Sequence, residues 1–109
     1  MKAKKVIVVG AGYWSNKMHL PAILPLIQQN KIEVVGVCDL NIGEAKIFAQ
    51  KVGSKQISDN FEDLISSAKP DGAILLVPPI VMPKMINICI QNRLPFICEK
   101  PPADRKSVV

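Results

Sequence analysis

Short apolar runs alternate with longer amphipathic stretches along the whole chain. Residues 6–9, Val-Ile-Val-Val, are continuous, β-branched and stopped by Gly10. A run of this kind fits a strand buried on both faces of a parallel sheet. Residues 14–29 place Met18, Ala22, Ile23, Leu26 and Ile27 at helical spacing. Pro21 and Pro25 each remove a backbone donor, so a kink or break is expected near Leu20. A second strand is expected over Ile32–Cys38, closed by Asp39. Asn41 is a good N-cap for a helix over Ile42–Val52, and Gly53 stops it.

The second half repeats the alternation. A short strand is expected around residues 56–57, and a short helix over residues 60–67 with Phe61, Leu64 and Ile65 on one face. Pro70-Asp71-Gly72 is a turn. Residues 73–77 hold no polar side chain and read as a central strand. Pro78 and Pro79 open the next connection, residues 81–92 read as a helix, and Phe96–Cys98 as a last strand. Residues 103–109 could open another helix. The order is βαβαβαβαβ. It implies a doubly wound α/β fold, a parallel Rossmann sheet with right-handed crossovers and strand order 3-2-1-4-5.

Composition narrows the class. At 109 residues the chain has the size of one domain, and 49% apolar residues is too many for a disordered chain. The formal charge of +5 suits a phosphate-bearing ligand, but a charge this small is commonly plain surface solvation. No basic run is interleaved with aromatics, which argues against nucleic acid. No signal or membrane-spanning segment is visible, and the longest apolar stretch, residues 73–83, contains three prolines. Cys38, Cys89 and Cys98 are odd in number and lack CxxC spacing. They read as reduced thiols of a cytoplasmic protein, and with one His no metal site is expected.

Three features fall at the carboxyl ends of the expected strands, where such folds bind ligands. The first is Gly10-Ala11-Gly12. Gly10 permits a tight turn, Gly12 allows close approach of a pyrophosphate, and a following helix start offers N–H groups and a positive dipole end. Ser15 stands where a third glycine would complete GxGxxG. The second feature is Asp39, whose carboxylate can accept both adenosine ribose hydroxyls and would repel a 2′-phosphate. Asp39 could instead only cap the loop before Asn41. The third is Glu99-Lys100-Pro101, which on physics alone is an ambiguous loop.

Together the turn Gly10-Ala11-Gly12-Tyr13-Trp14-Ser15, His19-Leu20-Pro21-Ala22, the strand ending Val37-Cys38-Asp39, residues 71–79 and Glu99-Lys100-Pro101-Pro102-Ala103 resemble the Gfo/Idh/MocA family over residues 5–103. The resemblance implies an NAD-dependent oxidoreductase acting on CH–OH groups of sugars or cyclitols, with NADP the less favoured cofactor. It gives Gly10 and Gly12 the pyrophosphate, with Tyr13 and Trp14 lending backbone amides. It gives Asp39 the adenosine ribose, and Pro78 and Pro79 the path beneath the nicotinamide half. Glu99 and Lys100 match the EKP motif, with Lys100 beside the nicotinamide ribose and the reacting hydroxyl as the catalytic candidate. His19 is read as structural.

Val77 replaces a frequent Thr or Ser, and Met82 a frequent His. The substrate domain of the family, with its catalytic Asp and His, has no counterpart in residues 1–109. Two expectations follow. Residues 1–109 are the NAD-binding domain of such an oxidoreductase and show no turnover alone, the alternative being a non-catalytic dinucleotide-binding module or truncated homologue. The chain also self-associates through the open edge of the last strand.

Overall fold

The computed structural model describes residues 3–12 and 19–98. Nine elements follow in the order β1 (Lys4–Val9), α1 (Leu20–Gln28), β2 (Ile32–Cys38), α2 (Ile42–Val52), β3 (Ile57–Ser58), α3 (Phe61–Ala68), β4 (Gly72–Leu75), α4 (Met82–Gln91) and β5 (Phe96–Cys98). The five strands form one sheet in the order β3-β2-β1-β4-β5, with every pairing parallel. The chain reverses its direction of winding between β1 and β4.

Alternation along β1 explains the three layers. Val6 and Val8 face a core with Leu20 and Ile23 of α1 and Ala45, Phe48, Ala49 and Val52 of α2. Ile7 and Val9 face the opposite core, with Phe61 and Leu64 of α3 and Ile88 and Cys89 of α4. A strand buried on both faces must be apolar at every position, which is why residues 6–9 hold no polar side chain. The β1–β2 register shifts between Val6 and Ile7, so Val35 is extra. Just past that irregularity, Gly36 lies against Leu64: an added Cβ would meet three of its side-chain carbons within 3.0 Å.

The helix boundaries follow local chemistry. The Asn41 side chain accepts the Glu44 N–H at 3.2 Å, and the Asn60 side chain accepts the Asp63 N–H at 3.0 Å. Gly53 ends α2 at φ 79°. Pro21 lies in the first turn of α1, where no N–H is required, while Pro25 sits inside the helix. The first part of the helix expected over residues 14–29 lies outside the described residues, as does the possible helix over 103–109. β4 is shorter than expected, ending at Leu75, because the chain turns away toward Pro78 and Pro79. Leu76 still donates to the Val9 carbonyl at 2.8 Å. β3 falls one residue later than expected, as Val37 and Asp39 of the β2 end donate to the Gln56 and Ser58 carbonyls on either side of Ile57.

Candidate functional site

Parallel strands bring β1, β2 and β4 to a common carboxyl edge, and the loops that leave them are tied together there. Gly10 donates to the Cys38 carbonyl at 2.8 Å, which fastens the end of β1 to the end of β2. Gly10 has φ 102°, a conformation that favours glycine. A Cβ at this position would also collide with the backbone of Leu76, just past the end of β4. Gly10 thus serves a close approach of strands as well as the turn. Gly12 differs, since a Cβ there would meet no atom of the described residues within 4 Å. Among the described residues, space is left at Gly12 that Gly10 does not have.

Asp39 lies half-buried beside this turn, with Leu40 exposed next to it. Its Oδ2 accepts the Ala11 N–H at 2.7 Å, and its Oδ1 accepts the Asn41 N–H at 2.8 Å. The second bond is an Asx-type turn leading into the α2 cap. The first crosses from β2 to the glycine turn. Asp39 also donates its own N–H to the Ser58 carbonyl at 3.1 Å, so one residue joins three strand ends. Sequence reasoning placed Asp39 at the edge but missed its bond to Ala11. The Asx turn was legible as an Asp two residues before an Asn cap.

The remaining positions divide. Pro78 and Pro79 are exposed, and the Pro78 carbonyl accepts from Val81 and Met82 at 3.0 and 3.1 Å, opening α4. They sit on the β4 loop, two and three residues past Leu76. Tyr13, Trp14, Glu99 and Lys100 lie outside the described residues. His19 is the N-cap residue of α1 and makes no side-chain cap bond. Under the site, burial and then the charges of Asp39 and Asp59 push the Cys38 thiol up to about 11. It is therefore a protonated part of the wall. Among the described residues no group of three or more His, Cys, Asp or Glu could hold a metal ion. No helix there is long and apolar enough to cross a membrane.

Residues 4–108 match the oxidoreductase family GFO_IDH_MocA, described as having an NAD-binding Rossmann fold. The D-glucoside 3-dehydrogenase of Escherichia coli is 27% identical over 99 residues, covering 91% of this chain and 27% of that protein. An oxidoreductase from Thermotoga maritima superposes with a TM-score of 0.82 at 28% identity, covering 92% of this chain and 30% of the other. Two more distant structures show the same fold. The scyllo-inositol dehydrogenase of Lactobacillus casei, solved with NAD(H) and scyllo-inositol, gives a TM-score of 0.76 at 21% identity over 92% of this chain and 28% of its own. A 3-ketoreductase from Actinomadura kijaniata, solved with NADP and TDP-benzene, gives 0.77 at 20% identity over 92% and 30%. The chain thus spans under a third of the length of each of these four relatives.

Proposed function

The chain belongs to the Gfo/Idh/MocA family of oxidoreductases with an NAD-binding Rossmann fold, and we propose that its carboxyl edge holds NAD for a dehydrogenase acting on CH–OH groups of sugars or cyclitols. The observation that carries this reading is the half-buried Asp39 carboxylate held against the glycine turn. Two ligand halves are thereby served from one place. The open face at Gly12 suits a pyrophosphate. Asp39 spends one acceptor site of each oxygen on backbone N–H groups, and a carboxylate has about four in all. One site on each oxygen is left for a ribose hydroxyl.

In this reading Gly10 shapes the turn and Gly12 admits the pyrophosphate, with Tyr13 and Trp14 adding backbone amides. Asp39 accepts the adenosine ribose hydroxyls and disfavours the 2′-phosphate of NADP by like charge. Pro78 and Pro79 border the route toward the nicotinamide, with Glu99 and Lys100 at its far end. The bound nicotinamide supplies a hydride acceptor. The Lys100 ammonium can hydrogen-bond the reacting hydroxyl and stabilise negative charge on its oxygen. The relatives' greater length leaves room for the substrate wall and the acid/base pair. A binding module without turnover is the alternative for the 109 residues alone. The same reading places the protein in the cytoplasm, its thiols reduced, and as a homo-oligomer.

Calorimetry of the purified chain with NAD, NADP and their reduced forms tests the proposal. One site per chain with NAD bound more tightly than NADP is the expected outcome. Absence of binding by every dinucleotide would overturn it.

A further inference from the structure

We propose that Asp39 is also a positioning residue for the phosphate-facing turn, setting its geometry through Ala11 whatever sugar the ligand carries. The inference rests on the dinucleotide reading above and deepens it. A ribose acceptor needs only to project its carboxylate into the site. The Asp39 carboxylate does something else in addition: it accepts the Ala11 N–H at 2.7 Å, within the short range of charge-assisted bonds. Ala11 is the middle residue of Gly10-Ala11-Gly12 and is itself fully buried in the core beside α1 and α2. Gly10 is fixed independently by the Cys38 carbonyl, and its backbone abuts Leu76. Beyond that clamp, the Asp39–Ala11 bond is a side-chain contact that fixes the middle of the turn.

The carboxylate is held in turn. Its other oxygen accepts from Asn41, the residue that caps α2, and its backbone is bonded to Ser58 at the end of β3. An uncharged isostere cannot reproduce this. The side-chain amide of an Asp39→Asn variant would offer one carbonyl oxygen to two N–H groups and set its own NH2 against the second. Losing one charge-assisted bond at Ala11 would release the turn and lower affinity for a diphosphate even where no ribose hydroxyl exists to be bound.

The test compares ADP with 2′,3′-dideoxy-ADP on the parent chain and on Asp39→Asn. If Asp39 served only the ribose, the variant would lose affinity for ADP and keep its affinity for the dideoxy ligand. The positioning role requires the dideoxy ligand to lose about tenfold as well, the scale of one charge-assisted hydrogen bond. Unchanged dideoxy-ADP affinity in a folded variant overturns the proposal. Amide hydrogen exchange on the ligand-free parent chain covers the case of a variant that does not fold. Ala11 is expected to be protected, and exchange at the rate of an open loop overturns the inference. A parent chain that binds neither ligand refutes the dinucleotide reading and the positioning role with it. Protection at Ala11 would then mark the fault as the ligand assignment rather than the bond.

Discussion

A Cβ atom on Gly10 would stand 2.7 Å from the Leu76 carbonyl oxygen and 2.9 Å from the carbonyl carbon. Both atoms are backbone just past the end of β4, and neither can step aside as a flexible side chain would. The φ of 102° adds strain to any substitution. Gly10→Ala is therefore expected to destabilise the fold by at least about 2 kcal/mol, from the positive φ and the clash together. Gly12→Val should behave oppositely, because its Cβ would meet no described residue within 4 Å. It should leave the melting temperature near that of the parent and abolish NAD binding by filling the space a pyrophosphate needs. Thermal unfolding and calorimetry on both variants separate the two glycines. Normal NAD affinity in a folded Gly12→Val chain would move the ligand elsewhere.

Asp39→Ser is expected to narrow the preference for NAD over NADP by about tenfold or more, since it removes both the ribose acceptor and the repulsion of a 2′-phosphate. The bond to Ala11 adds a second consequence. Affinity for NADP should rise less than affinity for NAD falls, because the turn that both share loses its support. Calorimetric titration of the variant with both cofactors measures this. A parent chain with equal affinity for the two would contradict the assignment of Asp39.

Much of this was legible in the sequence because the signals were local. The β-branched run at residues 6–9, the Asn41 cap and the Gly53 stop each act within a few residues, and each holds in the structure. The alternation of strands and helices sufficed for the strand order, since right-handed crossovers leave few arrangements. What escaped was contact between segments far apart in the chain. Nothing in the residue types says that Gly10 abuts Leu76, that Gly36 seats Leu64, or that Asp39 turns one oxygen toward Ala11. Those depend on register and on the β1–β2 irregularity, which no short-range pattern encodes.

The buried thiols give a pH prediction. Burial raises Cys89 to about 11, and burial with the neighbouring carboxylates raises Cys38 to about 11, each from 9.0. The folded state therefore holds these protons more tightly than the unfolded state does. Their contribution to stability is fully present below pH 9 and falls as pH rises toward 11. Urea melts across this interval should show declining stability. Iodoacetamide at pH 8 should label exposed Cys98 first and leave Cys38 and Cys89 unmodified until unfolding. Rapid labelling of Cys38 in the folded chain would contradict its place under the site.

The 109-residue polypeptide in solution should bind dinucleotide, show no appreciable dehydrogenase turnover, and dimerise weakly. Hydride transfer needs the substrate held near the nicotinamide and a proton acceptor within reach. Among these residues Lys100 is the candidate for contact with the reacting hydroxyl, and the 109 residues correspond to under a third of the length of the relatives reported above. Association has a different cause. Among the described residues β5 pairs with β4 alone, so its outer edge carries backbone groups with no partner strand. Ile97 on that strand is 65% exposed and Ile90 on α4 is 63% exposed. Pro83, Ile86 and Ile90 of α4 line a shallow hollow. A strand edge is complementary to itself across a two-fold axis, which favours a second copy of the same chain as occupant. Three residues of pairing make a small interface, so the dimer should form only at high concentration. Sedimentation should show a monomer–dimer equilibrium that Ile97→Lys shifts to monomer, with NAD affinity unchanged. A clean monomer at high concentration refutes the association. NADH production from a panel of polyols and sugars would refute the inactivity and require a complete catalytic site within these residues.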